Sequence, residues 1–483
     1  MKAFYVLIYF FLFQTVFLLS VQAQAIQKLQ APSYAREFGK VIAIDGGTAI
    51  VGAPGLTGVG YAYIFEQQNH SWGQITNTNT ELQAPSGEAS TNFGASVDVS
   101  GNMAVVGDPD ANGGLGLAFV FIRNNTNGDW EHIETLYPPP VQGLQQFGTD
   151  VAIYDQTVLV TLTHNPPPPE TNEDNPPRFV ARAYIFDSQF FYTDYSISID
   201  YDNSQSDWSS LQIDISSNYQ IVIGNPNGSE AYIADPIMNE GLSEISGWAI
   251  SQTLAKGTNS NFGTSVAIEN NLVVVGAPNQ YGGSGAVYIF DQLTEVAELR
   301  PTRSYDMVGE KFGYVVSLDN TTIVAGNNFD ATVNGTTWYP AVYLFERKQQ
   351  TGNWQEIIRN SGPKNNAFGH AIAASNGSIL VGANKDISDR GSLYVMPSIP
   401  IITVAPPPGF GTVNRINFGD ILTEPPTVVD GVTIEHNYTS SLNLRITSTN
   451  LQGTGGITFD PPNTLFSNLN PSVEKNLNLT LNP

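Results

Sequence analysis

The chain contains no cysteine. Disulfide staples and thiolate chemistry are therefore excluded, and a large core must hold the fold without them. Basic residues are scarce too: 20 Lys and Arg stand against 44 Asp and Glu, a formal net charge of −24. A surface of that sign repels phosphate backbones and argues against nucleic acid as a partner. It suits an extracellular protein that must stay in solution, or one that attracts cations or basic ligands. The few histidines, His70, His132, His164, His370 and His436, are scattered singly and none forms an HExxH pair. With no cysteine beside them, the usual signatures of metal hydrolases and thiol enzymes are missing. Past residue 21 no apolar run approaches the length of a membrane span.

What is present begins at the N-terminus. Lys2 precedes an apolar run from Ala3 to Val21, and small residues follow at Ala23 and Ala25. A charged start, an apolar centre and a small-residue exit are the parts of a secretory signal peptide, so residues 1–25 are expected to be removed. The run is nearly long enough to span a bilayer, which keeps an uncleaved anchor open as the alternative. Eight Asn-x-Ser/Thr sites between Asn69 and Asn478 are acceptors for glycan in a eukaryotic secretory pathway.

A short text then recurs seven times, at spacings of 50 to 61 residues. Each copy has a Phe-Gly pair, an apolar hairpin, a Val-Gly-Ala-Pro-type turn and an aromatic strand. Phe262-Gly263, Val275-Gly276-Ala277-Pro278 and Ala286 to Phe290 form the cleanest copy. Others begin at Phe38, Phe93, Phe147, Phe312 and Phe368, and a worn copy sets Trp208-Ser209 in place of Phe-Gly. Ser265 to Ile268 alternates in polarity, Glu269-Asn270-Asn271 turns, and Leu272 to Gly276 is a nearly continuous β-branched run. Four strands per unit at this period are the mark of propeller blades. The expected fold is all-β, a seven-bladed β-propeller over residues 26–398, with Phe wedged between blades and Gly and Ala easing the crowded centre.

The seventh unit lacks outer-strand text. Ile26 to Pro32 supplies it, because Leu29-Gln30-Ala31-Pro32 repeats Leu82-Gln83-Ala84-Pro85. Pairing the first residues with the last blade closes the ring and removes its open edges. The Pro-rich excursion Asn165 to Arg178 in the third unit reads as an exposed extended loop, and the fourth unit as a less regular blade. Residues 399–409 form a Pro-rich linker. Residues 410–483 alternate apolar and polar positions at Val432-Thr433-Ile434, Leu442 to Ile446 and Leu477 to Leu481, as expected of a small immunoglobulin-like β-sandwich. That segment is short against the roughly 100 residues of the fold, so the chain is expected to be incomplete there.

The Phe-Gly and Gly-Ala-Pro signatures resemble the FG-GAP repeats of integrin α-subunit propellers and their microbial relatives. The C-terminal segment resembles hydin-type immunoglobulin-like modules through Asn417-Phe418-Gly419 and the strands after it. The first resemblance implies a propeller whose loops bind protein or carbohydrate, often in adhesion. It also implies calcium held between the first two strands of a blade. Here those connections, such as Asp45-Gly46-Gly47 and Ser100-Gly101-Asn102, are too short to wrap a cation that wants six to eight oxygens. Asp108-Pro109-Asp110-Ala111-Asn112-Gly113 imitates a calcium loop through Asp108, Asp110 and Asn112, but it lacks the closing acid and follows the wrong strand. No metal, no cofactor and no catalytic residue are therefore expected, and His370 is expected to sit near solvent. The expected function is a secreted or surface-exposed, non-enzymatic protein that binds an extracellular protein or carbohydrate ligand. A lectin and a glycoside-processing enzyme with paired carboxylates at the centre are the alternatives.

Overall fold

A computed structural model describes residues 27–396 apart from short stretches, the longest being 165–178 and 202–210, and beyond Met396 it describes strands only. Residues 27–396 build seven antiparallel sheets of four or five strands, a seven-bladed all-β propeller. Blade 2 shows the plan, with strands Ser96–Ser100, Met103–Asp108, Leu117–Arg123 and Trp130–Leu136 hydrogen-bonded in that order. The first strand of each blade packs against the first strand of the next, and the seventh returns to the first, so these strands encircle the axis. Sequence dictates the tight first hairpins. Gly46, Gly101, Asn270 and Asn320 open them at φ between 52° and 56°, the left-handed region that glycine and asparagine reach most readily.

The signature residues act between blades. Phe38, Phe93, Phe147, Phe262 and Phe312 are fully buried. Phe147 shares a core cluster with Val105, Ala118 and Val120 of the blade before it and with Tyr184 and Phe186 of its own, so its ring fills the seam. Burying such a ring is worth about 2–3 kcal/mol. The glycines permit the approach that the rings require. A Cβ on Gly52 would lie 2.2 Å from the carbonyl oxygen of Gly94, and the same contact recurs between Gly107 and Gly148 and between Gly276 and Gly313. Between the last blade and the first it falls to Gly382 and Gly39, with 2.0 Å from the Gly382 position to the Gly39 carbonyl oxygen.

Ring closure uses the N-terminal strand. Gln27–Leu29 pairs antiparallel with Ser392–Met396, matching Gln27 with Val395, Lys28 with Tyr394 and Leu29 with Leu393. Glu81–Leu82 pairs in the same register in blade 1, Leu82 opposite Ala62 and Glu81 opposite Tyr63. The repeated Leu-Gln-Ala-Pro text thus marks equal places in two sheets. Blade 4 is a ladder of Gln212–Ile215, Ile221–Asn225, Glu230–Met238 and Ile245–Ala255, with two bulges in its outer pair. The worn signature Trp208-Ser209 lies outside the described residues, as do the Pro-rich excursion 165–178 and the leader 1–25.

Residues 26–396 form one compact unit, distinct from the remaining chain. Within the latter, Thr427–Val429, Val432–Asn437, Ser441–Ile446 and Lys475–Thr480 form one antiparallel sheet. The loops that would define a sandwich lie outside the described residues.

Candidate binding face

Strand direction gives the propeller two unlike ends. The short hairpins between first and second strands all lie at one end, here the turn end. Among the described residues, the segments before the Phe-Gly pairs and the connections from second to third strand lie at the other, the loop end. Because Gln27 pairs with Val395 in an antiparallel ladder, the chain enters and leaves the propeller at the turn end.

Along the axis, side chains of one first strand hold backbone amides of the next. Asp98 Oδ2 accepts from Ile153 N at 2.7 Å, Asp150 Oδ2 from Ile213 N at 2.9 Å and Asp214 Oδ2 from Ile268 N at 2.8 Å. Each aspartate also accepts, on Oδ1, the amide of the residue after it. Ser265 and Ser317 accept from Val316 N and Ala374 N, each at 3.0 Å. A second tier sits at the turns, where Asp45 accepts from Gly101 N at 2.7 Å, Asp319 from Gly377 N at 3.0 Å and Glu269 from Asn320 N. Desolvation raises Asp150 and Asp214 to about 7 and lifts Asp98, on which Asp214 also acts as a like charge. These carboxylates are committed to amides, and they act as staples between blades.

At the loop end, large side chains stand exposed from several blades: Tyr34, Val59, Leu115, Tyr137 and Tyr281, each between 44% and 58% accessible. Three of the tyrosines donate to glutamates, Tyr34 to Glu81 at 2.5 Å, Tyr137 to Glu88 at 2.6 Å and Tyr281 to Glu298 at 2.8 Å. Beneath them runs a register position that holds Tyr63, Tyr184, Tyr232, Tyr288, Tyr343 and Tyr394, each opposite the residue just before the signature glycine or its equivalent. The sequence expectations did not include this layer. Aligning outer strands, Glu81-Leu82 with Glu298-Leu299 and Lys28-Leu29, is the signal that exposes it.

The calcium-like triplet lies at the loop end and braces it. Asp108 is fully buried. It accepts from Ser90 Oγ at 2.5 Å, Thr91 N at 3.1 Å, and Asn92 N and Asp110 N at 3.2 Å. Desolvation raises its pKa, opposed chiefly by the Ser90 bond. Asp110 accepts from Asn92 Nδ2 at 3.0 Å, and the Asn112 amide donates to Ala89 O at 2.9 Å. In blade 5 the same brace is made without an acid, by Asn279 to Asn261 at 2.6 Å. Among the described residues no group of three or more His, Cys, Asp or Glu side chains converges on a common point. His370 is half-buried, contrary to the expected solvent position, and burial beside Lys40 and Lys385 pushes it down to about 4.

The FG-GAP repeat family matches residues 77–121 and 256–290. These stretches carry the copies at Phe93 and Phe262, in which the Phe-Gly pair and the Gly-x-Pro turn are both complete. No curated protein matches the chain.

Proposed function

Starting from a seven-bladed propeller that carries FG-GAP repeats, we propose that this is a secreted or surface-exposed, non-enzymatic protein that binds an extracellular protein through its loop end. One observation carries the reading. Both connections of the propeller to the rest of the chain emerge at the turn end, through the Gln27 and Val395 pair, so neither connection leaves from the loop end. The exposed tyrosines and apolar residues there are the types that anchor interfaces. Residues 1–25 serve as the secretory leader in this reading, and residues 410–483 as an immunoglobulin-like module that follows the propeller.

A glycan ligand is the second reading, supported by the recurrence of tyrosine and glutamate pairs. The surroundings of those pairs differ, however: Tyr61 lies beside Tyr34, whereas the guanidinium of Arg300 lies over Tyr281. Unlike neighbours favour one extended ligand over one sugar pocket repeated from blade to blade. The test is retention of cells or matrix proteins on immobilised propeller. Leu115→Ser with Tyr137→Ala at the loop end should abolish retention, and Ile237→Ser with Met238→Ser at the turn end should not. Retention that survives the loop-end change would refute the assignment.

A further inference from the structure

The tyrosine register allows one slot to be compared across blades. In three of them the chain supplies its own cation to that slot. Lys28 Nζ lies 5.3 Å from the ring centre of Tyr394 in blade 7, paired with Asp386 at 2.7 Å. Tyr394 itself donates to Asp386 at 2.8 Å. In blade 6 the Arg359 guanidinium lies 5.7 Å from the ring centre of Tyr343, and Nε donates to its hydroxyl at 3.2 Å. In blade 5 Lys256 lies 4.8 Å from the ring centre of Tyr288 and pairs with Glu295, while Arg300 lies 4.3 Å from that of Tyr281.

Blade 1 repeats the blade 5 arrangement without its cations. Glu81 is opposite Tyr63 as Glu298 is opposite Tyr288. Tyr34 donates to Glu81 as Tyr281 donates to Glu298. Glu81-Leu82-Gln83, however, stands where blade 5 has Glu298-Leu299-Arg300. Gln83 Nε2 donates to Glu81 Oε1 at 3.0 Å, a neutral substitute for the arginine. Tyr34 and Tyr61 hold their ring centres 5.3 Å apart, and Tyr61 and Tyr63 hold theirs at 6.1 Å. The Tyr63 hydroxyl is buried next to Glu81 and Tyr34. Among the described residues no Lys or Arg lies over these rings, and none forms an ion pair with Glu81. Arg36, nearby in sequence, donates instead to the carbonyls of Ser33 and Ala35, each at 2.9 Å.

We propose that Tyr34, Tyr61 and Glu81, above the buried Tyr63, form a docking slot for an arginine or lysine side chain of a protein partner. The slot takes from outside what blades 5 to 7 supply from within. The exposed face of Tyr34 and the half-buried Tyr61 attract a cation through their quadrupole, and the carboxylate of Glu81 beside them completes the charge. The net charge of −24 adds long-range attraction for a basic segment. The proposal rests on the loop end being the binding face and names what that face holds in blade 1.

The test is calorimetric titration of the whole protein with an acetylated, amidated peptide of three Gly-Arg repeats at low ionic strength, with a Gly-Glu peptide as control. Glu81→Gln should weaken binding of the arginine peptide by about tenfold, the loss expected for a cation held by a carboxylate and aromatic faces. Glu81→Lys, which places a lysine at the register of Lys28, should fill the slot from within and abolish binding. Glu298→Gln removes the same charge from a slot already filled and should leave affinity within about twofold. Unchanged affinity in Glu81→Lys would overturn the proposal, and so would equal weakening by Glu298→Gln, which would show attraction to net charge alone. If Glu81→Lys also leaves retention of a partner intact, the slot is wrong while the loop-end reading stands.

Discussion

The seam between blades 2 and 3 and the seam between blades 3 and 4 solve one problem in two ways. At the first, backbones touch: a Cβ on Gly107 would lie 2.2 Å from the Gly148 carbonyl oxygen. At the second, Thr161 occupies the Gly107 position, and the following unit has no Phe-Gly pair. The Thr161 hydroxyl turns inward, accepting from Asp150 N at 2.9 Å and donating to Asp150 O at 3.2 Å. Both seams nevertheless keep the aspartate staple, Asp98 to Ile153 and Asp150 to Ile213. At these two seams the signature glycine and the Phe-Gly pair are kept or lost together, whereas the axial staple is kept at both.

This contrast can be broken experimentally. Gly107→Ala should cost about 3 kcal/mol or more in urea unfolding, because the new methyl meets backbone that cannot yield. A cost under about 1 kcal/mol would mean that the seam relaxes. Asp150→Ala, which strands two buried amides, should cost about 2 kcal/mol. Thr161→Ala should cost about 1 kcal/mol, since it removes one hydroxyl from a seam with no glycine contact. pH should have an effect of its own. Asp150 and Asp214 hold protons up to about 7 in the folded chain, against 3.8 for an ordinary aspartate, so the folded state binds more protons between these values. Stability should therefore fall as pH rises toward and through about 7, giving a higher Tm at pH 5 than at pH 8 in this respect. Asp150→Asn with Asp214→Asn should flatten that dependence.

What was legible in the sequence was local or repeated. Hairpin turns are written as Gly46-Gly47 or Asn270-Asn271, and the closing strand announced itself because Leu29 to Pro32 copies Leu82 to Pro85. The staples were not legible there. Asp98 and Asp150 fall at different distances from their Phe-Gly pairs, so their shared task follows from the geometry between strands and not from spacing. The blade 1 slot required knowing which outer strand lies beside which tyrosine, and in blade 7 those partners come from opposite ends of the sequence.

Lys28 and its neighbours carry a consequence in time. The strand that completes the last blade is made first, and its partner Ser392–Met396 follows about 360 residues later. At ordinary elongation rates that is a wait of roughly 20–70 s. A strand left unpaired for so long invites wrong partners, and three residues with a lysine at the middle offer little to pair with. The segment is thus suited to patience, and only the arrival of Tyr394 and Asp386 gives its charge a place to settle.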